Sequence, residues 1–339
     1  MMSVNIANAV KTQDVESYLC ATREEGALKQ KLDNDVKYIF LKRKRSFDIS
    51  AILRLRKYIK NNKIDIIHAH SSSYFISSIV KLLTPNVKLI WHDHYGDSEH
   101  LKERKKNPLK MLSRYFYAII SVNNLLKKWS KNNLKAKNVY YVPNFASLSD
   151  ASQKTVLKGE KGKRIICLAG FRSQKDHLNL LKAFKIVLDL HPNWTLHLVG
   201  NQYGDDYFKS VKDYIDRNDL LDNSYMYHNV IDIKNILTQS TIGVLSSKSE
   251  GLPVSLLEYG LAKLPVIVTK VGECERVLVG GKFGMLVSPS DEKMLAINIE
   301  EMISNFDLRN RFSDEFHQHI IENYSEQKII HKLLDIYKS

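Results

Sequence analysis

The chain has few cysteines, and their spacing suggests neither a cross-linked nor a metal-bound domain. Its three cysteines, Cys20, Cys167 and Cys274, are odd in number and far apart in a chain of 339 residues. Disulfide frameworks and cysteine zinc sites use even-numbered or closely spaced sets. We therefore predict buried free thiols in a reducing compartment.

Long apolar runs are also missing. No stretch reaches the length of about 18 apolar residues that a bilayer-spanning helix needs. The first 20 residues mix polar and charged side chains, so the pattern predicts no secretory signal. We therefore expect a cytoplasmic protein, and its length suits two domains with a ligand-binding cleft between them.

Acidic residues are scarce in the first half of the chain only. Residues 1–150 hold 27 Lys or Arg against 13 Asp or Glu, whereas residues 151–339 hold 24 of each. A basic domain beside a neutral one predicts an anionic partner, and we expect peripheral contact with an anionic membrane. No nucleic-acid-binding module accompanies the charge, so we expect no nucleic-acid partner.

The densest basic segment, residues 98–137, contains a predicted helix that begins after Pro108. Leu109, Leu112 and Phe116 share one face of this helix. The pattern is typical of a basic amphipathic helix on a membrane, and it fits a surface helix whose apolar face packs inward equally well. The sequence leaves both interpretations open.

Short β-rich runs alternate with helical patterns along the chain, which predicts an α/β protein with parallel sheets. The predicted strands are Ser17–Thr22, Lys37–Leu41, Asp65–His70, Lys88–Trp91, Ala118–Val122, Val139–Val142, Arg164–Gly170, Trp194–Gly200, Ser224–His228, Thr241–Ser246, Pro265–Thr269 and Phe283–Val287. Residues 146–163 break the alternation and are predicted to be a linker. We predict Rossmann-like domains at residues 1–145 and 164–322, and a terminal helix within residues 323–339 that packs back across the domains.

The strongest local motif runs from Ser249 to Glu258, directly after a predicted strand. Gly251 allows close backbone approach to a ligand, and Pro253 suits the first turn of a helix. A helix N-terminus after a strand and a glycine turn is a common phosphate site in doubly wound domains. Glu250 and Glu258 bracket this site and are placed to accept hydrogen bonds from sugar hydroxyls, although an isolated Glu pair is more often an ordinary surface feature.

A second motif begins at Gly170, where another predicted strand ends. Arg172 and Lys175 follow it, three residues apart, on the edge of the sheet that also receives the Ser249–Glu258 turn. A guanidinium fork and an ammonium group at that edge would neutralise a diphosphate. Lone cations in a loop are usually only solvated, so the segment gains weight only in combination with the first motif.

Together these segments resemble the retaining glycosyltransferases of family 4, which have the two-domain GT-B fold. Glu250 and Glu258 match the family's pair of Glu residues separated by seven positions, with one residue fewer between Gly251 and Pro253 than in the family pattern. Arg172 and Lys175 match the family's cations that grip the donor diphosphate. The resemblance extends over nearly the whole chain.

The resemblance implies a role for each matching residue. Glu258 would hold the donor ribose, Glu250 the hydroxyls of the transferred sugar, and the backbone from Leu252 to Val254 the phosphates. The family also places a histidine after a strand of the amino domain, near the transferred sugar. His92 and His94 both qualify, and the register favours His94.

The resemblance also implies the chemistry. The donor would be a nucleotide diphosphate sugar, and the acceptor a glycan or a lipid-linked glycan of bacterial surface polysaccharide or lipopolysaccharide synthesis. In the retaining mechanism the acceptor attacks the face that the diphosphate vacates, and the diphosphate helps to take the acceptor proton. We therefore expect no protein base, no metal and no other cofactor.

Two alternatives stay open. Family members begin with a strand and a Gly-rich loop before a helix, whereas this chain begins within that helix near Val4, so we expect a shortened amino domain. A non-catalytic or partner-dependent transferase subunit is therefore one alternative. The other is a metal-dependent hydrolase, because His68 and His70, like His92 and His94, place two imidazoles on one strand face, although no carboxylates occur at supporting spacing.

Overall fold

A computed structural model of the chain describes residues 2–11, 15–97, 100–148, 150, 154–228 and 230–339. The chain divides into two compact units. Unit 1 is Met1–Asn144 with Glu326–Ser339, and unit 2 is Phe145–Ser325. None of the helices in the described ranges combines the length and the hydrophobicity that a bilayer crossing requires.

Unit 1 contains two parallel sheets in its described part. The smaller sheet pairs β1 (Tyr18–Ala21) with β2 (Lys37–Phe40), and the larger has the order β3 (Ile66–His70), β4 (Lys88–Asp93), β5 (Ala118–Ser121) and β6 (Asn138–Tyr141). The helices of this unit are α1 (Met2–Lys11), α2 (Ile49–Asn61), α3 (Tyr74–Leu83), α4 (Leu109–Leu112), α5 (Asn124–Asn133) and the last helix of the chain, α13 (Glu326–Lys338).

The helices of unit 1 follow from their apolar spacing. In α2 the residues Ile52, Leu55 and Ile59 are buried on one face, and the Asp48 side chain caps the helix by accepting a hydrogen bond from the Ala51 N–H. The terminal helix predicted within residues 323–339 is α13, and its Ile and Leu side chains are buried. The buried faces of helices in this unit therefore follow the 3.6-residue spacing of apolar residues in the sequence.

The structure decides between the two interpretations of the segment after Pro108. Leu109, Leu112 and Phe116 are all buried, and α4 itself is only one turn long. The interpretation of these three residues as the membrane-facing side of an amphipathic helix is therefore wrong. Their apolar area is removed from water by packing in the core instead, which is the more favourable use of it.

Unit 2 contains one six-stranded parallel sheet in its described part, with the order β12-β11-β10-β7-β8-β9. Its strands are β7 (Arg164–Leu168), β8 (Thr195–Val199), β9 (Ser224–Tyr227), β10 (Ile242–Leu245), β11 (Val266–Thr269) and β12 (Met285–Val287). Its helices are α6 (His177–Leu188), α7 (Asp206–Arg217), α8 (Ile233–Thr238), α9 (Val254–Leu261), α10 (Cys274–Val277), α11 (Glu292–Ser304) and α12 (Phe306–Tyr324).

The predicted α/β class is confirmed, with each predicted strand found to within two residues at either end. The central strands β7 and β10 are almost wholly buried, as expected for a parallel sheet covered by helices on both faces.

The residues just before β7 belong to unit 2 and pack against the rest of it. Thr155 donates its N–H to the Asp232 carboxylate at 2.5 Å, and Leu157 is buried.

Candidate active site

Two loops of unit 2, residues 169–176 and 246–253, form one structure, which we call the paired loops. They leave the carboxyl ends of β7 and β10, which are neighbours in the sheet. The Ser246 hydroxyl lies 3.1 Å from the carbonyl oxygens of Lys175 and Asp176, and the Lys248 N–H donates to the Gln174 carbonyl at 2.8 Å. These bonds hold the two predicted motifs side by side.

An ion pair joins the paired loops. Lys175 Nζ lies 2.5 Å from Glu250 Oε1, and the Ser247 hydroxyl donates to the same oxygen at 2.7 Å. Glu250 is only 4% exposed, so its charge needs a close partner. The structure thus brings together two residues that are 75 positions apart in the sequence and that the resemblance assigns to neighbouring parts of one donor.

Arg172 lies apart from this pair in the described contacts. It is exposed, its Nη2 donates to the Tyr203 hydroxyl at 2.7 Å, and its guanidinium lies 4.8 Å from the centre of the Tyr203 ring. A Cβ on Gly170 would lie 3.7 Å from that same hydroxyl. Arg172 and Gly170 therefore both lie beside Tyr203, a residue that the sequence motifs did not single out.

The start of α9 presents backbone N–H groups beside the ion pair. Pro253 is the N-cap, one position before the first helical residue Val254, and no side chain caps this end. Leu252 and Gly251 are buried. Uncapped N–H groups together with the helix dipole favour an anion at this position.

The turn that carries Glu250 and Gly251 rests on a glycine. Gly272 has φ of 56°, and a Cβ there would lie 2.3 Å from the Glu250 carbonyl oxygen and 2.5 Å from that of Gly251. The Glu273 N–H donates to the Gly251 carbonyl at 3.0 Å. Only glycine combines this φ with such close backbone contact, so Gly272 determines the position of the turn.

Glu258 lies on α9 and is 3% exposed. The next residue, Tyr259, is fully buried, and its hydroxyl accepts a hydrogen bond from the Leu168 N–H at 2.6 Å, at the end of β7. Burial raises the pKa of Tyr259 well above its usual value, so the hydroxyl stays neutral. A Cβ on Gly243 would lie 2.7 Å from its ring. Sequence reasoning missed this anchor, although a glycine within a buried strand indicates close packing.

Asp176 is the last residue of the first of the paired loops, and His177 is the first residue of α6. Asp176 has φ of 50° and lies 3.3 Å from Lys248 Nζ and 3.2 Å from the Ser290 hydroxyl. His177 is fully buried with its ring stacked on Phe171 at 4.7 Å. Burial lowers the pKa of His177 to about 4, so this imidazole is neutral at pH 7.

In unit 1, four histidines from adjacent strand ends form a group that we call the histidine cluster: His68, His70, His92 and His94. His68 and His70 lie on β3, His92 lies on β4 opposite His70, and His94 follows that strand. Burial lowers the pKa of His94 to about 3 and that of His68 to about 4. The His92 and His94 rings are in contact at an angle of 31°, with centroids 4.0 Å apart, so both candidate histidines belong to one cluster.

Asp93 is not part of this cluster. Arg104 makes two hydrogen bonds to its carboxylate, at 2.7 and 2.8 Å. Burial raises the pKa of Asp93, and the paired guanidinium opposes that rise. Arg104 is itself buried, with 8% of its side chain exposed. This cation of the basic segment is therefore committed to an internal ion pair.

The two parts of the chain match two related families. Residues 149–319 match the family Glycosyl transferases group 1, and residues 2–150 match Glycosyltransferase Family 4. Among its relatives is a glycosyltransferase of Haemophilus influenzae, 22% identical over 97% of this chain and 93% of the relative. Another is an Escherichia coli UDP-Gal:alpha-D-GlcNAc-diphosphoundecaprenol alpha-1,3-galactosyltransferase, 25% identical over 93% of this chain and 87% of the relative.

Solved structures share the architecture. The Anabaena protein HepE in complex with UDP-glucose aligns with a TM-score of 0.83 at 14% identity, covering 99% of this chain and 95% of that protein. A glycosyltransferase from Rickettsia africae aligns with a TM-score of 0.79 at 20% identity, covering 99% and 93%. Because the group 1 match spans half of the sequence, the chain belongs to the group 1 glycosyl transferases and is a glycosyltransferase of the GT-B fold.

Proposed function

We propose that this glycosyltransferase takes a sugar from a nucleoside diphosphate donor whose diphosphate binds at the paired loops of unit 2. The observation that carries the proposal is the Lys175–Glu250 ion pair beside the uncapped start of α9. A cation and a helix N-terminus at the carboxyl edge of a parallel sheet form an anion site. The adjacent buried carboxylate supplies acceptor oxygens for hydroxyl groups.

Each residue then has a proposed part. The Lys175 ammonium stabilises the negative charge that develops on the leaving diphosphate, with the α9 N–H groups as further donors. Arg172 reaches the same diphosphate from its position on Tyr203. When the diphosphate replaces Glu250 as the partner of Lys175, Glu250 becomes able to accept hydrogen bonds from the transferred sugar. Glu258 accepts hydrogen bonds from the donor ribose.

We further propose transfer with retention of the anomeric configuration. The acceptor hydroxyl attacks the face from which the diphosphate leaves, and the diphosphate takes its proton, so this step uses no protein base and no metal. The family resemblance assigns His94 a role in sugar binding, for which this residue offers a neutral imidazole. The low pKa values of the histidine cluster support this role, because a neutral ring can both donate and accept hydrogen bonds.

The acceptor that we propose is a lipid-linked glycan of surface polysaccharide synthesis. The Escherichia coli relative acts on a sugar carried by a polyprenyl diphosphate, according to its name. Two further relatives from that organism are named for O-antigen biosynthesis, each aligned over 94% of this chain. An acceptor of this kind would lie at a membrane surface, where the excess of basic residues in the first half of the chain favours association.

The experiment is a transfer assay with the purified full-length chain, a panel of UDP-sugars and a polyprenyl-diphosphate-linked sugar. Release of UDP and the anomeric proton coupling of the product are both measured. We expect acceptor-dependent UDP release and a product with the donor's configuration. An inverted product would refute retention, and donor hydrolysis without transfer would favour the partner-dependent subunit.

We also propose which surface of unit 1 contacts anionic lipid. Lys110 and Arg114 are exposed beside Met111 and Tyr115, which are 54% and 37% exposed. These residues lie outside the buried face of α4 and combine cations with apolar tips, as interfacial segments do. We expect the double variant Lys110→Glu/Arg114→Glu to lose most of its binding to anionic liposomes in a sedimentation assay, and Lys234→Glu in unit 2 to leave binding unchanged.

A further inference from the structure

The four rings of the histidine cluster contact one another both through their nitrogens and through their faces. His68 Nε2 lies 3.1 Å from His92 Nδ1, and His70 Nδ1 lies 2.9 Å from His94 Nε2. The His68 and His70 rings on β3 are stacked, with centroids 4.5 Å apart. These two imidazoles are thus joined, nitrogen to nitrogen, to His92 on β4 and to His94, which follows that strand.

We propose that His68, His70 and His92 form a binding site for a divalent transition-metal ion such as Zn²⁺. One ring nitrogen from each of the three lies within 4.8 Å of the others. In a tetrahedral Zn²⁺ site with Zn–N bonds of about 2.0–2.1 Å, ligand nitrogens are separated by about 3.3 Å. The His68–His92 separation of 3.1 Å approaches this value, so an ion lying beside the line that joins the two nitrogens could bind both, with release of the proton that they share.

The surroundings of the cluster suit a metal ligand. His68 Nδ1 lies 2.6 Å from the Tyr337 hydroxyl, which orients the ring and leaves Nε2 directed at His92. Such a partner on the second nitrogen is typical of metal-bound histidines.

The donor set selects the class of metal. The group formed by His68, His70 and His92 contains only imidazole, and the nearby Asp93 carboxylate is occupied by Arg104. Imidazole suits Zn²⁺, Co²⁺, Ni²⁺ and Cu²⁺, whereas Mg²⁺ and Ca²⁺ need oxygen ligands. The site is consequently distinct from the metal centres that hold donor diphosphates through carboxylates.

Metal binding would also constrain His94, whose ring is hydrogen-bonded to that of His70 and contacts that of His92. The inference does not rest on the proposed function, because binding is measured without donor or acceptor. A chain that is inactive in transfer would still bind Zn²⁺. If the chain did not bind Zn²⁺, the proposal that the paired loops of unit 2 bind a diphosphate would be unaffected.

The test is calorimetric titration of the tag-free, chelator-treated full chain with Zn²⁺, and with Mg²⁺ as the comparison ion. We expect one Zn²⁺ per chain, and at least tenfold weaker binding by His68→Gln and by His92→Gln. Tyr337→Phe, which keeps every ligand, is expected to weaken binding by about tenfold through loss of ring orientation. His331→Gln removes a histidine that is 82% exposed on α13 and should leave the affinity unchanged.

Circular dichroism checks that each variant is folded. If a histidine variant does not fold, Tyr337→Phe still provides the test, because it keeps every proposed ligand. Substitution with Co²⁺ should give the absorption bands of a tetrahedral nitrogen site in the wild-type chain and lose them in His92→Gln. Equal Zn²⁺ affinity in the wild-type chain, Tyr337→Phe and His68→Gln would overturn the proposal. Binding of Mg²⁺ as tight as that of Zn²⁺ would overturn it as well.

Discussion

The paired loops of unit 2 and the histidine cluster of unit 1 both lie where strands of a parallel sheet end, but their side chains differ in charge. The paired loops hold full charges that compensate each other, Lys175 with Glu250 and Lys248 with Asp176. The histidine cluster holds polar rings whose depressed pKa values keep them uncharged.

The difference indicates what each place can bind. Charges that are paired in the free protein can be exchanged for those of an anionic ligand, because a diphosphate offers Lys175 a new partner. Neutral rings cannot compensate for the removal of a diphosphate from water, and they suit hydroxyl groups or a metal ion instead. The comparison therefore supports the proposal that the donor diphosphate binds in unit 2.

The largest expected effect comes from Lys175→Ala. It removes the preorganised cation from the proposed leaving group, so we expect transfer to slow about a hundredfold, mainly in kcat. The matched control is Lys209→Ala, which removes a lysine with 68% of its side chain exposed on α7 and should leave the rate unchanged. An unchanged rate in folded Lys175→Ala would remove the functional distinction between the two regions.

A loss of similar size is expected from Glu258→Ala, because the carboxylate is proposed to hold the donor ribose. The signature of that role is substrate-dependent: a donor lacking the ribose hydroxyls should be used almost equally by the variant and the wild type. Glu315→Ala, on the exposed face of α12, serves as the control. A full hundredfold loss with the deoxy donor would assign Glu258 another role.

A smaller effect is expected from Gly272→Ala. The added Cβ would meet two carbonyl oxygens of the Glu250–Gly251 turn at 2.3 and 2.5 Å. Gly204 has a similar φ of 64° but open space around it, so Gly204→Ala isolates the cost of the backbone conformation, roughly 1–2 kcal/mol. We expect Gly272→Ala to lose more free energy of unfolding than this control. Equal losses in urea unfolding would show that the turn does not depend on Gly272.

The smallest effect concerns acid sensitivity in unit 2. His177 has its pKa lowered from 6.5 to about 4, so the unfolded chain binds a proton between these pH values that the folded chain does not. Stability should therefore fall as the pH drops from 6.5 towards 4, by about 1 kcal/mol per pH unit for this group, and be unaffected above 6.5. In thermal unfolding at pH 7, 6 and 5, His177→Asn should show a shallower decline than His331→Asn.

Much of the fold was predictable from the sequence, because strands buried on both faces appear as continuous β-rich runs. The terminal helix was also predicted, and α13 lies within the predicted residues 323–339. The direction of the apolar face of α4 was not predictable, since a short amphipathic pattern is the same whether core or lipid covers it. Only packing distinguishes the two.

The candidate site was predictable as residue types but not as contacts. Strand ends identified Lys175, Glu250 and the histidines, since parallel strands bring their carboxyl ends to one edge. The ion pair across 75 residues depends on the adjacency of β7 and β10, which sequence order does not state. The roles of Tyr259 and Gly272 depend on approaches of a few ångströms that no local pattern encodes.

The most direct test of the central claim is calorimetric binding of UDP and of uridine to the wild-type chain and to Lys175→Met. If the paired loops hold the diphosphate, Lys175→Met should weaken UDP binding at least tenfold and change uridine binding little. Equal UDP affinity in the two proteins would contradict the claim.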